Sequence, residues 1–155
     1  MCYKLLERLA LQRIDCQVET LLSPDQAGFR KCRSIDQVLA LSTYIENGFQ
    51  RQLKTGAVFL DLTAAYDTVW HTGLLVKVCR CLPIWFVRLV ELLLRNRRFR
   101  VHMGADTSRW RNQHNGLPQG SVLAPTLFNI YTNDLPSTSC SRFMYADDIC
   151  MAHQA

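Results

Sequence analysis

The 155-residue sequence lacks the features that mark membrane-spanning, secreted and disordered chains. No apolar run reaches the roughly 18 residues that a membrane-spanning helix needs. The opening stretch, MCYKLLERLALQR, interleaves charged residues with leucine and has no continuous apolar segment of the kind found in signal peptides. Hydrophobic residues make up 48% and charged residues 20%, a balance typical of globular domains. We therefore expect one soluble, intracellular domain with no membrane partner.

Paired cysteines and clustered histidines are missing as well. The seven cysteines are scattered, and only Cys79 and Cys81 lie close together, with no second pair to complete a zinc site. Such a pattern is typical of free thiols in a reducing compartment, and we expect them to be buried. The histidines are dispersed, which predicts surface or packing roles. No Ser-His-Asp arrangement, Walker-type phosphate loop, repeat or low-complexity tract is present.

Hydrophobic periodicity predicts an α+β fold with a mainly antiparallel sheet. Leu5, Leu6, Leu9 and Ala10 sit at helical spacing and predict an amphipathic opening helix. A period near 3.6 predicts a second helix over 35–49, and the apolar run at 57–62 predicts a buried strand. The remaining predicted elements are helices over 74–82 and from 83 through IWFVRLVELLL, a hairpin of RRFRVHMG and SRWRNQ, a helix over 122–133, and strands at 142–145 and 149–152.

Positive charge is concentrated in the predicted hairpin. The net charge is only +5, but the segment 95–111 carries six arginines against a single acid, Asp106. A segment this basic suits a phosphate backbone, because binding releases the counterions of the nucleic acid. A solvated hairpin with no partner is the alternative. The arginines of the candidate nucleic-acid surface are Arg95, Arg97, Arg98 and Arg100, followed by Arg109 and Arg111.

Two adjacent aspartates, Asp147 and Asp148, stand between apolar, strand-like flanks in RFMYADDICMA. Burying a carboxylate without a partner is costly because its hydration is lost. A divalent cation supplies the compensating charge best, so the pair indicates a metal site. A solvent-exposed hairpin turn, where aspartate is common, is the other interpretation.

Asp61 ends the apolar strand AVFLDL and would face the same way as the Asp-Asp pair if the two strands were neighbours. Carboxylates converging from separate strands form a template for two Mg²⁺ ions roughly 4 Å apart. Two or three are enough, because magnesium completes its shell with water and substrate phosphates. Asp67 is a candidate fourth ligand, but its surroundings, AAYDTVWH, favour a helix cap or a surface position.

Four sequence blocks occur in the order in which reverse transcriptases carry them. AVFLDLTAAYDTVWH, GLPQGSVLAPTLFNIYTNDLP and FMYADD resemble motifs A, B and C of that family. LLSPDQAGFRKCRSIDQV resembles the block found in the non-LTR retrotransposon branch, in jockey-like elements and their relatives. YADD alone would be a weak signal, but four blocks in the correct order are a strong one.

The resemblance implies roles for matching positions in motifs A and C. Asp61, Asp147 and Asp148 match the catalytic, metal-binding aspartates, and the backbone carbonyl of Leu62 would help hold the metal of the nucleotide. Tyr66 falls at the family's steric gate, where an aromatic ring against the sugar excludes a 2′-hydroxyl and selects deoxynucleotides. From the residues alone, ordinary core packing is the preferred role for Tyr66.

Further positions are implied to bind the nucleotide. Gln119 and Gly120 match the motif B loop beneath the incoming nucleotide and the template base, although a helix-entry turn explains GLPQG equally well. Arg30 and Arg33 match basic positions that meet the triphosphate, and their guanidinium groups suit phosphate oxygens. Lys31 is an open alternative within this set.

The expected fold is therefore a polymerase palm, an antiparallel sheet with packed helices, plus part of the fingers and without the thumb. We expect a partial reverse transcriptase domain over 1–155, with the fingers portion at 1–56 and the palm portion, including its helices and the basic hairpin, at 57–155. We expect this fragment to lie in the cytoplasm, the nucleus or both.

The function that the resemblance implies is RNA-directed DNA polymerisation, the addition of dNTPs to a DNA primer 3′-end on an RNA template with two Mg²⁺ ions or with Mn²⁺. The alternatives are a non-catalytic nucleic-acid-binding remnant and a maturase-type or telomerase-type relative with the same palm.

Overall fold

The computed structural model describes residues 2–31, 33, 35–136 and 138–155. Helices and short strands alternate along this part of the chain. The helices are α1 (Cys2–Leu21), α2 (Asp36–Gln50), α3 (His71–Cys81), α4 (Ile84–Leu94) and α5 (Ala124–Thr132). The strands are β1 (Thr55–Asp61), β2 (Arg98–Phe99), β3 (His102–Met103), β4 (Asp106–Thr107), β5 (Arg111–Asn112), β6 (Ser141–Tyr145) and β7 (Asp148–Gln154).

The main sheet has three strands in the order β1-β7-β6, and both pairings are antiparallel. β6 and β7 form a hairpin that turns at Ala146 and Asp147, and β1 lies along the other side of β7. A separate ribbon is built from β2 paired with β5 and β3 paired with β4. The predicted mixture of helices with antiparallel strands is confirmed, and so is the basic hairpin.

Helix and strand positions agree with the predictions to within a few residues, the uncertainty expected where ends fray. The largest shift is at α3, which begins at His71 rather than at residue 74. α4 starts directly after Pro83, which has no N–H to place in the helix and occupies the position before its first residue.

The buried face of α1 differs from the predicted one. Leu5, Leu6 and Leu9 are exposed, whereas the buried positions are Glu7, Ala10, Ile14 and Val18. These four recur at spacings of three or four residues, so they lie on one face of the helix. The predicted amphipathic helix exists, but the leucines at its start lie outside the contact with the core.

β1 was expected to be a buried strand, and this prediction is wrong. Every residue from Gly56 to Asp61 is exposed, including Phe59 at 73% and Val58 at 59%. β1 is an edge strand that pairs with β7 on one side only. Its apolar residues favour a β-strand, but they are not buried.

The hydrophobic core lies among the helices. Its large, fully buried side chains include Phe86 and Val90 of α4, Leu74 of α3, and Leu127 and Phe128 of α5. α2 packs instead on the sheet, where Tyr44 meets Phe143 of β6 edge to face at 5.9 Å between ring centroids. No helix in the described part of the chain is long and apolar enough to cross a membrane.

The cysteines correct another expectation. Those described are free, but only Cys150 is buried, Cys140 is half-buried, and Cys2, Cys16, Cys79 and Cys81 are exposed. Burial raises the pKa of the Cys150 thiol and so keeps it in the neutral form. Cys32 lies outside the described residues.

Candidate functional site

Asp61 and Asp148 meet directly across the sheet. Asp61 is the last residue of β1 and Asp148 the first of β7, and the two are register partners. Tyr145, the last residue of β6, is the partner of Asp148 on its other side. Residues directly opposite one another in antiparallel strands share a face, with Cβ atoms about 4.5 to 5.5 Å apart. The predicted pairing of these two strands is thus present, and it places both carboxylates on one face at the end of the sheet.

Asp147 occupies the turn between β6 and β7. The residue before it, Ala146, has a φ of +59°, in the left-handed region that residues with a side chain rarely adopt. This conformation produces the tight reversal that leads from β6 into β7, with Asp147 directly before Asp148. Among the residues that the structure describes, no group of three or more His, Cys, Asp or Glu side chains is arranged to hold a metal ion.

The aspartates are more accessible than the burial argument assumed. Asp61 and Asp148 are exposed and Asp147 is half-buried. The premise that buried carboxylates demand a cation is therefore wrong for this pair. What remains is the chemistry of the donors, since carboxylate oxygens, one or two per ion, are what magnesium takes from a protein.

Tyr66 lies half-buried between aromatic rings close to Asp147. It stacks on Phe128 with centroids 4.7 Å apart and meets Phe29 edge to face at 6.3 Å. Its hydroxyl is buried without a hydrogen-bond partner in the described structure. Burial, and secondarily the charge of Asp147, raises the pKa of Tyr66 to about 12. Tyr66 therefore packs in the aromatic cluster and also lies close to Asp147.

The GLPQG loop is tied to the segment that follows β1. The amide of Leu117 donates to the Tyr66 carbonyl and that of Gly116 to the Val69 carbonyl, each at 2.8 Å. Gly116 has a φ of +89°, and a Cβ there would lie 2.8 Å from the Asp67 carbonyl oxygen, so only glycine fits. His71 donates from Nε2 to the Gly116 carbonyl at 2.8 Å, a packing role as predicted.

At the tip of this loop the side chains are accessible. Gln119 is exposed and donates to the Asp67 carboxylate at 3.4 Å, and Gly120 has open space around it. Asp67 is exposed and makes no cap at α3, which begins without any side-chain cap bond. The cap interpretation of Asp67 is therefore wrong, and its surface placement is confirmed.

The two arginines expected at the triphosphate differ from each other in placement. The side chain of Arg30 is only 5% exposed, and its guanidinium donates to Glu19 and to the carbonyls of Ser23 and Gln26. Four of its five N–H groups are used in these bonds. Arg30 thus ties the 23–26 loop to α1 in this structure, whereas Arg33 is half-buried.

Lys31, the open alternative, is exposed and pairs with Asp15 at 2.5 Å. That partner raises the pKa of the Lys31 ammonium. Because the pair is exposed, its effect on stability is small.

The basic hairpin presents arginine around an exposed tryptophan. Arg100 lies over the Trp110 ring at 4.9 Å and Arg98 at 6.0 Å, measured to the ring centroid. Arg97 points elsewhere and donates to the Gly116 carbonyl at 3.2 Å. Burial lowers the pKa of Arg97, and the nearby Asp67 carboxylate opposes this effect. Arg95, like Arg98 and Arg100, is exposed.

Glu7 and Gln26, which were not singled out from the sequence, are buried polar residues near these loops. Glu7 accepts hydrogen bonds from the Ser121 hydroxyl at 2.8 Å and the Val122 amide at 2.5 Å, at the start of α5. Gln26 bonds to the Ala146 backbone. Glu7 leaves one trace in the sequence, because it shares a helical face with Ala10, Ile14 and Val18; Gln26 leaves none.

Comparison with known proteins places this architecture in a family. The profile described as "Reverse transcriptase (RNA-dependent DNA polymerase)" matches residues 1–155. The chain therefore belongs to the reverse transcriptase family, and the resemblance seen in motifs A, B and C is confirmed.

Three similar proteins come from mobile elements of Drosophila. The chain is 36% identical over 98% of its length to the probable RNA-directed DNA polymerase from transposon BS of Drosophila melanogaster. It is 32% identical over 96% to the RNA-directed DNA polymerase from mobile element jockey of Drosophila funebris, and 32% over 98% to the probable enzyme from transposon X-element of Drosophila melanogaster. The chain spans 18% of the length of each of these relatives.

Proposed function

We propose that this chain forms part of an RNA-directed DNA polymerase of a non-LTR retrotransposon, which adds dNTPs to a DNA primer 3′-end on an RNA template. The observation that carries the proposal is the direct pairing of Asp61 with Asp148, next to Asp147, in a chain of the reverse transcriptase family. The proposed partners are the RNA template, the DNA primer and dNTPs, and the proposed location is the cytoplasm, the nucleus or both.

In this proposal, residues 1–56 contribute to the fingers and residues 57–155 to the palm. The three-stranded sheet that carries the aspartates supports the palm assignment. The hydrogen bonds from the GLPQG loop to Tyr66 and Val69 support a single site built from motifs A and B.

The oxygen donors of the proposed site are of the kind that a divalent metal ion binds. Asp61, Asp147 and Asp148, with the Leu62 carbonyl, would hold Mg²⁺, or Mn²⁺ in its place, because hard oxygen donors in small number suit these ions. A bound pair of ions would supply activation of the 3′-hydroxyl and charge stabilisation of the leaving pyrophosphate.

The remaining residues bind and orient. Tyr66, fixed by its stacking on Phe128, would present its ring to the sugar and exclude a 2′-hydroxyl. Gln119 and Gly120, accessible at the loop tip, would lie beneath the nucleotide and the template base. Arg33 is a better candidate than Arg30 for the triphosphate, because the guanidinium of Arg30 is already bonded.

Primer extension on an RNA template tests the proposal in the complete polymerase that contains this segment. We expect Asp147→Asn to abolish extension, because removing a metal-binding carboxylate removes charge stabilisation of the transition state. Glu91→Gln, at an exposed glutamate of α4 outside the proposed site and the hairpin, is the matched control and should extend normally. Extension that is indifferent to Asp147 contradicts the assignment. Salt-sensitive binding without any extension by the wild type would favour the nucleic-acid-binding remnant.

A further inference from the structure

Gln26 holds the turn that carries the aspartates. It is 3% exposed and lies in the loop after α1. Its Oε1 accepts the Ala146 amide at 2.9 Å, and its Nε2 donates to the Ala146 carbonyl at 3.1 Å. Both backbone polar groups of the residue before Asp147 are thus satisfied by one side chain that is 120 positions away in sequence.

The orientation of the Gln26 amide is determined by its neighbours. Oε1 also accepts the Gly28 amide at 2.8 Å, so two N–H donors face this atom and one carbonyl faces Nε2. The flipped amide would set N–H groups against both donors, which excludes it. Because a short apolar or singly functional side chain cannot reproduce this pattern, glutamine is specifically suited to the position.

The turn also rests on backbone contacts from the same loop. The Ala27 amide donates to the Met144 carbonyl, and the Met144 amide donates to the Asp25 carbonyl, each at 2.9 Å. A Cβ at Gly28 would lie 2.1 Å from the Ala146 nitrogen, so the loop approaches the turn as closely as glycine permits. Together these contacts surround Ala146, whose φ of +59° needs external support.

Asn129 extends the network to α5. It is 2% exposed, and its Nδ2 donates to the Gly28 carbonyl at 2.8 Å. Its neighbour Phe128 stacks on Tyr66. The Ala146–Asp147 turn is therefore connected through Gln26 and Gly28 to the helix that also supports the tyrosine beside Asp147.

We propose that Gln26 is a positioning residue for Asp147 and Asp148. By holding the Ala146 backbone, Gln26 fixes the position and orientation of the turn relative to Asp61. The inference rests on the proposed polymerase function and adds a residue that touches neither substrate nor metal. Loss of Gln26 frees both polar groups of Ala146, so the aspartates sample positions away from the one needed for chemistry. Displacement on the scale of 1 Å lowers turnover by about a hundredfold.

The test uses Gln26→Ala and Gln26→Glu in the complete polymerase. We expect kcat for primer extension to fall about tenfold to a hundredfold in Gln26→Ala, with the KM for dNTP changed by less than about threefold. Hydrogen–deuterium exchange followed by mass spectrometry should show faster exchange in the peptide covering 143–148. Gln26→Glu keeps both accepting contacts but turns a buried carboxylate oxygen toward the Ala146 carbonyl in place of the donated bond, so we expect faster exchange at 143–148 and a lower kcat than in wild type.

Gln154→Ala is the matched control, since Gln154 donates to the Tyr44 carbonyl and the Thr55 hydroxyl at the opposite end of β7. We expect its kcat to stay within about twofold of wild type. Unchanged exchange at 143–148 in Gln26→Ala, or faster exchange with an undiminished kcat, overturns the inference. If Gln26→Ala does not fold, Gln26→Glu decides, because an undiminished kcat in that variant is equally contrary. A wild-type polymerase that extends no primer removes the proposed function, while the exchange measurement still tests the hold of Gln26 on the turn.

Discussion

At the scale of single residues, Asp61 and Asp148 place like charges directly opposite each other on neighbouring strands. Such a pair destabilises a sheet by roughly 0.2 to 1 kcal/mol. Their position at the strand ends therefore opposes folding unless a cation or substrate group lies between them.

Asp148→Asn should accordingly stabilise the protein when divalent cations are removed. We expect a gain of about 0.2 to 1 kcal/mol in the free energy of unfolding in EDTA, because the repulsion with Asp61 disappears. Urea denaturation measures it. Asp106→Asn is the control, since its strand partner Met103 carries no charge, and it should show no gain. A loss of stability in Asp148→Asn would mean that the two carboxylates do not repel each other.

Tyr66 predicts a pH dependence. Its pKa is raised from 10.0 to about 12, so the folded state holds the phenol proton more tightly than the unfolded state. The corresponding stability is fully present below pH 10 and is lost as the pH rises from about 10 to 12. The wild type should therefore lose stability in this window relative to Tyr66→Phe. Denaturation at pH 9, 10.5 and 11.5 compares them, with Tyr3→Phe, an exposed ring, as control. If the free energy of unfolding depends on pH in the same way in wild type and Tyr66→Phe, burial does not raise the pKa of the Tyr66 hydroxyl.

At the scale of elements, α1 and α5 are joined by a carboxylate. α5 has no capping side chain of its own, and Glu7 of α1 accepts the Val122 and Leu123 amides at its start. A negative charge at a helix N-terminus also interacts favourably with the helix dipole. Because the GLPQG loop ends here, the same contact fixes where that loop enters the helix.

Glu7→Ala should destabilise the protein by about 1 to 3 kcal/mol, because the amides and the Ser121 hydroxyl lose their buried acceptor. Glu7→Gln retains one accepting oxygen and should cost less. Urea denaturation midpoints measure both. Glu91→Ala, an exposed glutamate of α4, should stay within about 0.5 kcal/mol of wild type. Equal effects at positions 7 and 91 would show that Glu7 does not cap α5.

The elements themselves are predictable from sequence because their periodicity is local. The period near 3.6 in α2 and the Pro83 that precedes α4 are read directly from neighbouring residues. Burial is not local. β1 has the composition of a core strand and lies at an edge, and the leucines that open α1 are exposed while the Glu7 side of the helix is buried.

In the candidate site, too, some residues can be recognised from their local sequence and others cannot. Asp61, Asp147 and Asp148 stand out because carboxylates among apolar residues are unusual, and the strand pairing brings them together as expected. Gln26 and Glu7 hold the surrounding loops through bonds spanning more than 110 positions, which leave no periodic signal. Arg30 carries the expected charge, but its guanidinium group already donates hydrogen bonds to Glu19 and to two backbone carbonyls.

At the scale of the whole molecule, the positively charged hairpin lies apart from the apolar core. The helical core is apolar, whereas every residue from Arg98 to Asn112 is exposed. This hairpin keeps Trp110 59% exposed while two arginines lie over its ring. An aromatic ring beside guanidinium groups suits a nucleic-acid strand, which offers both phosphates and base or sugar surfaces. We therefore expect the hairpin to supply the electrostatic part of template–primer binding.

Replacing Arg98 and Arg100 together by glutamine should weaken binding of an RNA–DNA primer–template in a salt-dependent way. The plot of log K against log salt has a negative slope, and each lost phosphate contact makes it less steep by about 0.9. We therefore expect the magnitude of the slope to decrease by roughly 1 to 2. Fluorescence anisotropy at several salt concentrations measures it. The matched control replaces Arg8 and Arg51, which are exposed outside the hairpin, and should leave the slope nearly unchanged. Trp110→Ala should lower affinity at every salt concentration without altering the slope, because stacking releases no counterions. Equal slopes in the hairpin and control variants would assign the binding charge to another surface.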